Sequence, residues 1–229
     1  MTSHSVCDHR IIGPVTKPSS RIERRPSSRI EQRKAELRQE IIDTAFACFA
    51  EKGYHATGIA DIAGELGIGH GTFYRYFENK RDIIDHVIDD LAARIIESLG
   101  TDNAPDAADS LEEYRAQVDR IGDALNRIFL EDQRVAQMLL FQATGIDTEL
   151  TMRLYGLLDT ADSLTAGYLE HGVERGYLRA DLDTVNTARA VTGMLLAAIL
   201  HGIRNPDAQA VDDLSHAIRH LLIDGVRKH

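Results

Sequence analysis

The chain has 229 residues, of which 43% are hydrophobic and 27% charged, an ordinary soluble composition with room for one sizeable core or for a small domain joined to a larger one. The longest apolar run, Met194 to Leu200, is far shorter than the roughly 20 residues that cross a bilayer, and the N-terminus has no apolar signal segment, so we expect neither a membrane partner nor secretion. Only two cysteines occur, Cys7 and Cys48, which argues against a disulfide framework or a thiolate metal site and suits the cytoplasm.

The formal net charge is −10, but the charge is unevenly distributed along the chain. Residues 1–80 hold 12 Lys and Arg against 10 Asp and Glu, whereas residues 81–229 hold 14 against 26. A nucleic-acid phosphate backbone would therefore be attracted by the N-terminal end and repelled by the rest of the chain.

Residues 1–31 are predicted to form a disordered basic arm, because they contain three of the five prolines, many serines and no periodic apolar residues. The six residues from Pro18 to Glu23 recur from Pro26 to Glu31, and two copies are too few for a repeat fold. Two alternatives stay open for this arm: a solvated tail, or a segment that lies along DNA.

From about residue 32 the chain is predicted to be helical almost to its end. Apolar residues at four-residue spacing indicate a first helix, which Gly53 ends; they are Leu37, Ile41, Ala45 and Phe49. A short helix over residues 59–66, a three-residue turn and a second short helix to Phe77 follow. Lys80 opens a long fourth helix that ends near Gly100.

Five further periodic segments are predicted as helices, over residues 108–130, 132–144, 148–175, 184–204 and 208–227. Residues 176–183 are a linker whose last residue, Asp183, can cap the next helix. No segment alternates with period two, so no sheet is predicted. The expected fold class is all-α, with about nine helices divided into a DNA-binding domain at residues 32–80 and a ligand-binding and dimerisation domain at residues 81–229.

The stretch IADIAGELGIGHGTFYRYF, residues 59–77, is typical of a helix-turn-helix. The crossing point of its two helices needs a small side chain, and Ala63 stands there. Four residues later Gly67 can adopt the left-handed backbone that the turn needs. Phe73 and Phe77 mark the buried side of the second helix, so Arg75 is predicted to point nearly opposite. That outward face carries hydroxyl, phenol and guanidinium groups, which suit phosphate and base-edge contacts.

The run from Ile41 to Ile83 resembles the DNA-binding domain of the TetR family of bacterial regulators. The positions that carry the resemblance are Ala45, Phe49, Gly53-Tyr54, Ile62-Ala63, Gly67-Ile68, the run Thr72-Phe73-Tyr74-Arg75-Tyr76-Phe77, and Asn79-Lys80. Residues 172–183 are also similar to a loop common before the eighth helix in that family.

The resemblance implies DNA contacts. Thr72, Tyr74 and Tyr76 match positions that touch phosphates or bases, Lys80 matches a phosphate-binding lysine, and His70 matches a variable position that helps to choose the sequence. The full predicted contact set is Thr57, Gly58, Gly69, His70, Gly71, Thr72, Tyr74, Arg75, Tyr76 and Lys80.

Three positions depart from the family pattern. Gly58 replaces a threonine cap, so that either Thr57 or Gly58 caps the second helix. Ala60 replaces an arginine that often reaches a base. Gly69 replaces a serine cap on the recognition helix. These departures affect which operator sequence the protein is expected to bind, and they do not change the expected fold.

The last two helices are predicted to be buried within the subunit or between subunits, because residues 188–203 are apolar nearly all round. The resemblance implies that these helices form a four-helix interface in a homodimer. The predicted interface residues are Gly193, Ala197, Leu200, Leu214, Ile218 and Leu221.

A pocket for an unknown small-molecule effector is also implied by the resemblance, and the residues proposed for its lining are Met138, Phe141, Gln142, Tyr155, Leu158 and Tyr168. The predicted function is sequence-specific transcriptional regulation, as a repressor that a small molecule releases from its double-stranded DNA operator. The alternative is a DNA-binding architectural or co-regulatory protein without small-molecule control.

An enzyme is not expected, since no nucleotide-binding loop, nucleophile elbow or zincin motif is present. Glu170, His171 and Glu174, and separately His216 with His220, stand at helical spacings that could hold a metal. Such pairs are common on solvated helix faces and no third ligand is evident for the histidine pair. We therefore predict no catalytic residue, no metal and no cofactor.

Overall fold

The computed structural model describes residues 27–100, 103–205 and 207–228, and their regular structure is helical apart from one isolated backbone bridge. The helices are α1 Ser27–Lys52, α2 Ile59–Glu65, α3 His70–Phe73, α4 Lys80–Leu99, α5 Leu111–Asn126, α6 Gln133–Gln137, α7 Thr148–Arg175, α8 Thr184–Arg204 and α9 Ala208–Val226. The all-α fold predicted from the sequence is confirmed.

The N-terminal unit of the chain is described from Ser27 to Glu36, which is helical, and its residues 29–36 are exposed. Helix α1 therefore begins ahead of the predicted start at residue 32, and residues 27–31, predicted to belong to the arm, are helical. The rest of the predicted arm, residues 1–26, lies outside the described residues.

The long helices begin and end at residues whose local chemistry explains the boundary. The side chain of Asn79 accepts hydrogen bonds from the backbone N–H groups of Arg81 and Asp82 and so caps α4. Asp147 and Asp183 cap α7 and α8 in the same way, the latter as predicted. Gly176 ends α7 with φ of 78°, a left-handed conformation that favours glycine.

The predicted helix over residues 132–144 is broken. Only Gln133–Gln137 is α-helical; Met138–Gln142 forms a wider π turn and Ala143–Gly145 a 3₁₀ turn. The wider turn changes the direction of the following side chains, and Met138 and Leu139 are both buried. A similar π turn, Arg127–Glu131, follows α5.

Two hydrophobic clusters form the core of the chain from Leu37 onward. The first joins α1, α2 and α3 to α4, to the segment 135–143 and to the start of α7, and it includes Ile41, Phe49, Ile84 and Leu150. This cluster continues across residue 80, so the DNA-binding helices are packed directly on the fourth helix. The second cluster joins α5, the end of α7, α8 and α9, around Leu169 and Leu178.

Ion pairs connect α4 to the first turns of α7. The Arg81 guanidinium contacts the carboxylates of Asp85 and Asp147. The guanidinium of Arg153 contacts Asp85 and Asp89. Because Asp147 is the N-cap of α7, the start of that helix is bound to the first turn of α4.

Candidate nucleic-acid interface

The α2–α3 pair has the geometry of a helix-turn-helix. Ala63 is 1% exposed at the crossing of the two helices, and its carbonyl accepts the backbone N–H of Ile68 at 2.9 Å. Gly67 has φ of 66°, the left-handed conformation that the turn was predicted to need. The small residue and the glycine thus occupy the positions expected from the sequence.

Helix α3 is anchored from behind by two phenylalanines. Phe73 and Phe77 are 0% and 1% exposed, and their ring centroids lie 5.7 Å apart. The α-helix itself is shorter than predicted, since it has four residues and the chain continues to Phe77 as tight turns. Within these turns the N–H of Tyr76 donates to the carbonyl of Phe73 at 2.9 Å, a three-residue closure in place of the four-residue one.

The opposite side of α3 faces outward. Tyr74 is 54% exposed, and Arg75, His70 and Gly71 are exposed as well. Arg75 forms no ion pair with any residue of the described ranges, so its guanidinium is available to an anion. Thr72 and Tyr76 are half-buried, and Gly69 is the N-cap of the helix, without a side chain to occupy its first turn.

Thr57 corrects an expectation from the sequence. Its side chain is 1% exposed and its hydroxyl lies 3.1 Å from the carbonyl oxygen of Cys48 and 2.9 Å from that of Gly53. The hydroxyl therefore stabilises the end of α1, and it is not presented to DNA. The N-cap of α2 is Gly58, whose N–H donates to the Asp61 carboxylate at 2.8 Å.

Asp61 completes the start of α2 as a charged acceptor. The N–H of Gly58, and then the nearby Lys52 ammonium, hold the pKa of the Asp61 carboxyl below its usual range. The carboxylate is therefore ionised at neutral pH and accepts the backbone N–H of the N-cap residue, Gly58, at the start of the helix.

Lys80 lies at the first position of α4 and its ammonium is turned toward the protein. Its Nζ donates to the carbonyl oxygens of Tyr54 at 2.8 Å, Thr57 at 3.0 Å and His55 at 3.3 Å. The same atom lies 4.4 Å from the centroid of the Tyr54 ring. The lysine expected to bind phosphate is thus engaged with the turn between α1 and α2.

The predicted dimer residues are divided between exposed and half-buried positions on α8 and α9. Gly193 and Ala197 are exposed on α8, and Leu221 on α9 is 64% exposed. The other three are half-buried within the subunit: Leu200, Leu214 and Ile218.

The six residues predicted for the effector pocket do not line a common cavity in the described structure. Met138 is fully buried in the first cluster, and Tyr168 is buried in the second cluster. The remaining four are on or near the surface: Phe141, Tyr155 and Leu158 are 58%, 53% and 37% exposed, and Gln142 is half-buried. The helical pattern showed that these residues are apolar or aromatic, but not on which side of each helix they lie.

The structure instead has a cavity of about 50 Å³ between α5, α8 and α9. Its lining is mainly aliphatic, with Leu125, Phe129, Leu195, Ile199 and Ile218, and Arg219 lies at its side. Only Ile218 was singled out from the sequence, as a dimer residue. A second, more open groove of about 390 Å³ runs along α8 and α9 beside the linker 179–183.

The candidate metal ligands are engaged separately. His171 Nε2 is hydrogen-bonded to the carbonyl of Ala108, and His220 pairs with Asp224 on its own helix. Across the described ranges no three His, Cys, Asp or Glu side chains are grouped so as to hold a metal ion. None of the helices in the described part of the chain is both long and apolar enough to cross a membrane.

A helix pair of this geometry, with its polar face turned outward, is the unit with which helical regulators contact duplex DNA. The fold and the site therefore define a DNA-binding transcriptional regulator. The family model of the TetR bacterial regulatory proteins matches residues 41–87, which cover α2, α3 and the adjoining parts of α1 and α4. Over these residues the chain is similar to the TetR family.

Relatives of known name agree with this assignment. The chain is 23% identical to the fatty acid metabolism regulator protein of Bacillus subtilis over 82% of this chain and 94% of that protein. It is 25% identical to the transcriptional repressor KstR2 of Rhodococcus jostii over 84% of this chain and 92% of that protein.

Solved structures show the same fold. A TetR regulator from Chloroflexus aurantiacus matches with a TM-score of 0.71 at 18% identity, over 86% of this chain and 100% of that one. FadR from Bacillus subtilis, solved in complex with stearoyl-CoA, matches with a TM-score of 0.68 at 23% identity, over 82% of this chain and 99% of that one.

Proposed function

We propose that the protein is a homodimeric, cytoplasmic repressor that binds a double-stranded DNA operator through α3 and leaves it when a small-molecule effector binds among α5, α8 and α9. The observation that carries the DNA-binding part is the division of α3 into two sides. Phe73 and Phe77 are fully buried, whereas Tyr74 and Arg75 between them are exposed. We assign no catalytic role to any residue.

The proposed DNA contacts use the groups that the exposed side offers. The Arg75 guanidinium can bind a phosphate or a guanine edge, and the Tyr74 phenol can donate to a phosphate oxygen. The glycines at the helix start leave space for the DNA backbone. The proposed contact residues are Gly58, Gly69, His70, Gly71, Thr72, Tyr74, Arg75, Tyr76 and, at the start of α4, Lys80.

A dimer is proposed because a single short α3 reads too few base pairs, whereas a twofold dimer reads two half-sites about one helical turn apart. The exposed face of α8 carries Ala190, Gly193 and Ala197, small residues that allow a second helix to approach closely. Leu221, exposed on α9, offers apolar surface beside them.

The effector is proposed to be aliphatic. The lining of the cavity between α5, α8 and α9 is mainly aliphatic, and a volume of about 50 Å³ holds only a few atoms. A longer molecule would therefore have to move these helices apart, and α8 and α9 also carry the proposed dimer face. A ligand shifts the equilibrium between the observed arrangement of these helices and the separated one by the difference between its affinities for the two arrangements. The stearoyl-CoA complex of the related regulator supports stearoyl-CoA as a first probe.

The DNA-binding part is tested with two tyrosines that are equally exposed, Tyr74 at 54% and Tyr155 at 53%. Operator duplexes are selected from random DNA by the wild-type protein, and binding is measured by fluorescence anisotropy. We expect Tyr74→Ala to lose specific binding while its thermal unfolding midpoint stays unchanged. Tyr155→Ala, on α7, should bind as the wild type does. Unchanged binding by Tyr74→Ala would remove that residue from the interface.

The effector part is tested on the same complex by adding stearoyl-CoA, with free coenzyme A as the control. Release by stearoyl-CoA alone supports an aliphatic effector. If no aliphatic ligand that binds the protein changes its operator affinity, the alternative of a DNA-binding protein without small-molecule control is favoured.

A further inference from the structure

We propose that the cavity between α5, α8 and α9 takes an uncharged ligand with an aliphatic body and a carbonyl oxygen, such as a ketone or an ester, and that this oxygen accepts the Nε–H of Arg219. The inference rests on the proposed function, because it names the class of ligand for the cavity proposed there to bind the effector. The observation that carries it is an arginine beside the cavity whose charge is compensated and whose Nε has no hydrogen-bond partner among the described residues.

The cavity has an apolar side and a polar side. Leu195 and Ile199, one turn apart on α8, belong to the apolar side. The polar lining residues stand where α5 meets α9: the Ser215 hydroxyl donates to Oδ1 of Asn126 at 3.3 Å, and Arg219 follows Ser215 by one turn of α9. A ligand in this place buries its hydrocarbon part against α8 and keeps its polar group beside α5 and α9.

The ion pairs of Arg219 argue against an acidic ligand. Its Nη1 lies 2.9 Å from the Asp123 carboxylate and 3.5 Å from the Asp119 carboxylate, both on α5. One cation beside two anions leaves this group with a net negative charge. A ligand carboxylate would approach that negative charge, so electrostatic repulsion disfavours an anionic head group here.

Both carboxylates contact Nη1, and the Arg219 Nε remains buried without an acceptor. Gly122 allows the guanidinium to lie close to α5, since a Cβ at that position would be 3.4 Å from Cδ and 3.7 Å from Nε of Arg219. A buried N–H without a partner is energetically unfavourable, and a carbonyl oxygen supplies the missing acceptor without adding charge. The oxygen reaches Nε as the ligand separates α9 from α5.

Three eight-carbon probes separate the possible head groups: 2-octanone is neutral, octanoate is an anion and octylammonium is a cation. Binding is measured without DNA, from the Nε–H resonance of Arg219 in ¹⁵N-labelled protein, which is assigned by its loss in Arg219→Lys. We expect 2-octanone to shift this resonance and to bind about tenfold more tightly than either ion, which corresponds to about 1.4 kcal/mol.

Arg219→Lys keeps the positive charge but has no Nε, so it should bind 2-octanone about tenfold more weakly than the wild type does. Arg94→Lys is the matched control. Arg94 also contacts two carboxylates, those of Asp43 and Asp90, but it lies on α4 and its Nε is 2.6 Å from Asp90. Arg94→Lys should bind all three probes as the wild type does.

The double variant Asp119→Asn, Asp123→Asn tests the charge argument. Removing both carboxylates leaves the Arg219 guanidinium uncompensated, so the affinity for octanoate should rise about tenfold, whereas the affinity for 2-octanone should stay unchanged. The two aspartates are 63% and 64% exposed, which favours retention of the fold, and thermal unfolding checks it. If Arg219→Lys does not fold, this variant still tests whether Arg219 lies beside the head group.

Tighter binding of octanoate or octylammonium by the wild type, no binding of 2-octanone, or an Arg219 resonance that does not move would overturn the inference. Equal binding of 2-octanone by Arg219→Lys, or an unchanged octanoate affinity in the double variant, would do the same. These measurements need no operator. If 2-octanone binds through Arg219 but does not release DNA, the effector part of the proposed function fails and the ligand class stands.

Discussion

Gly172, near the end of α7, provides a test of the packing that positions the linker to α8. An alanine Cβ at this position would lie 2.5 Å from Cδ1 and 2.6 Å from Cγ of Leu178, and 2.7 Å from Cε2 of Tyr177. The chain folds back here because the Gly172 carbonyl accepts the N–H groups of Tyr177 at 3.2 Å and Leu178 at 3.1 Å. Leu178 is 1% exposed and has no room to move outward.

The effect of Gly172→Ala is a balance of two terms. Alanine in a helix is favoured over glycine by about 0.5–1 kcal/mol, whereas overpacking a buried site costs about 1–3 kcal/mol. We expect a net loss in the free energy of unfolding of about 1–2 kcal/mol. Gly156, on the same helix, is the matched control, since a Cβ there meets no atom within 4 Å. Gly156→Ala should gain about 0.5–1 kcal/mol.

Urea unfolding followed by helical circular dichroism measures both variants. The protein concentration is held constant, because dimerisation would make the apparent stability concentration-dependent. The two substitutions are chemically identical and should change stability in opposite directions. If Gly172→Ala is as stable as Gly156→Ala, the close approach of Leu178 to α7 is not a feature of the protein in solution.

Two further predictions concern polar groups that hold the DNA-binding unit. Thr57→Val should lower the free energy of unfolding by about 1–3 kcal/mol, because carbonyls at the end of α1 lose a buried donor. Thr160→Val, which removes an exposed hydroxyl bound to the Gly156 carbonyl, should change it by less than about 0.5 kcal/mol; equal losses by urea unfolding would contradict the buried role of Thr57. Asp147→Asn should change how the free energy of unfolding depends on pH under acidic conditions. The Arg81 side chain and then the Leu150 N–H hold the pKa of Asp147 below 3.8, so its contribution is complete above that pH and is lost as the pH falls through the lower folded value. The stability difference between wild type and Asp147→Asn should therefore vanish in acid, and a difference that is constant with pH would refute this assignment.

Much of the fold was predictable because helices are specified locally. The bounds predicted for the seventh and eighth helices, 148–175 and 184–204, are those of the structure, since Asp147, Gly176 and Asp183 act within one turn of each end. The buried side of α3 was predictable for the same reason: Phe73 and Phe77 lie one turn apart in the sequence.

The roles of single polar residues were less predictable. Both Thr57 and Lys80 stand at positions that resemble DNA contacts, yet their hydroxyl and ammonium groups bind backbone carbonyls inside the protein. Lys80 and Tyr54 are far apart in the sequence, and no periodic pattern of residues predicts a hydrogen bond between a side chain and a distant turn. The residues predicted for the effector pocket are dispersed between core and surface for a related reason, because apolar residues on α7 can face either the core or the solvent.

From the sequence alone came the helical class, the ends of the seventh and eighth helices, the turn at Gly67 and the two sides of α3. These depend on contacts between residues a few positions apart, where the chain itself sets the distances. The tertiary structure alone decided that α4 shares its core with the DNA-binding helices, that Lys80 closes the turn before α2, and that the cavity lies between α5, α8 and α9. Those features depend on which distant faces meet, and that choice is made by the packing of the whole chain.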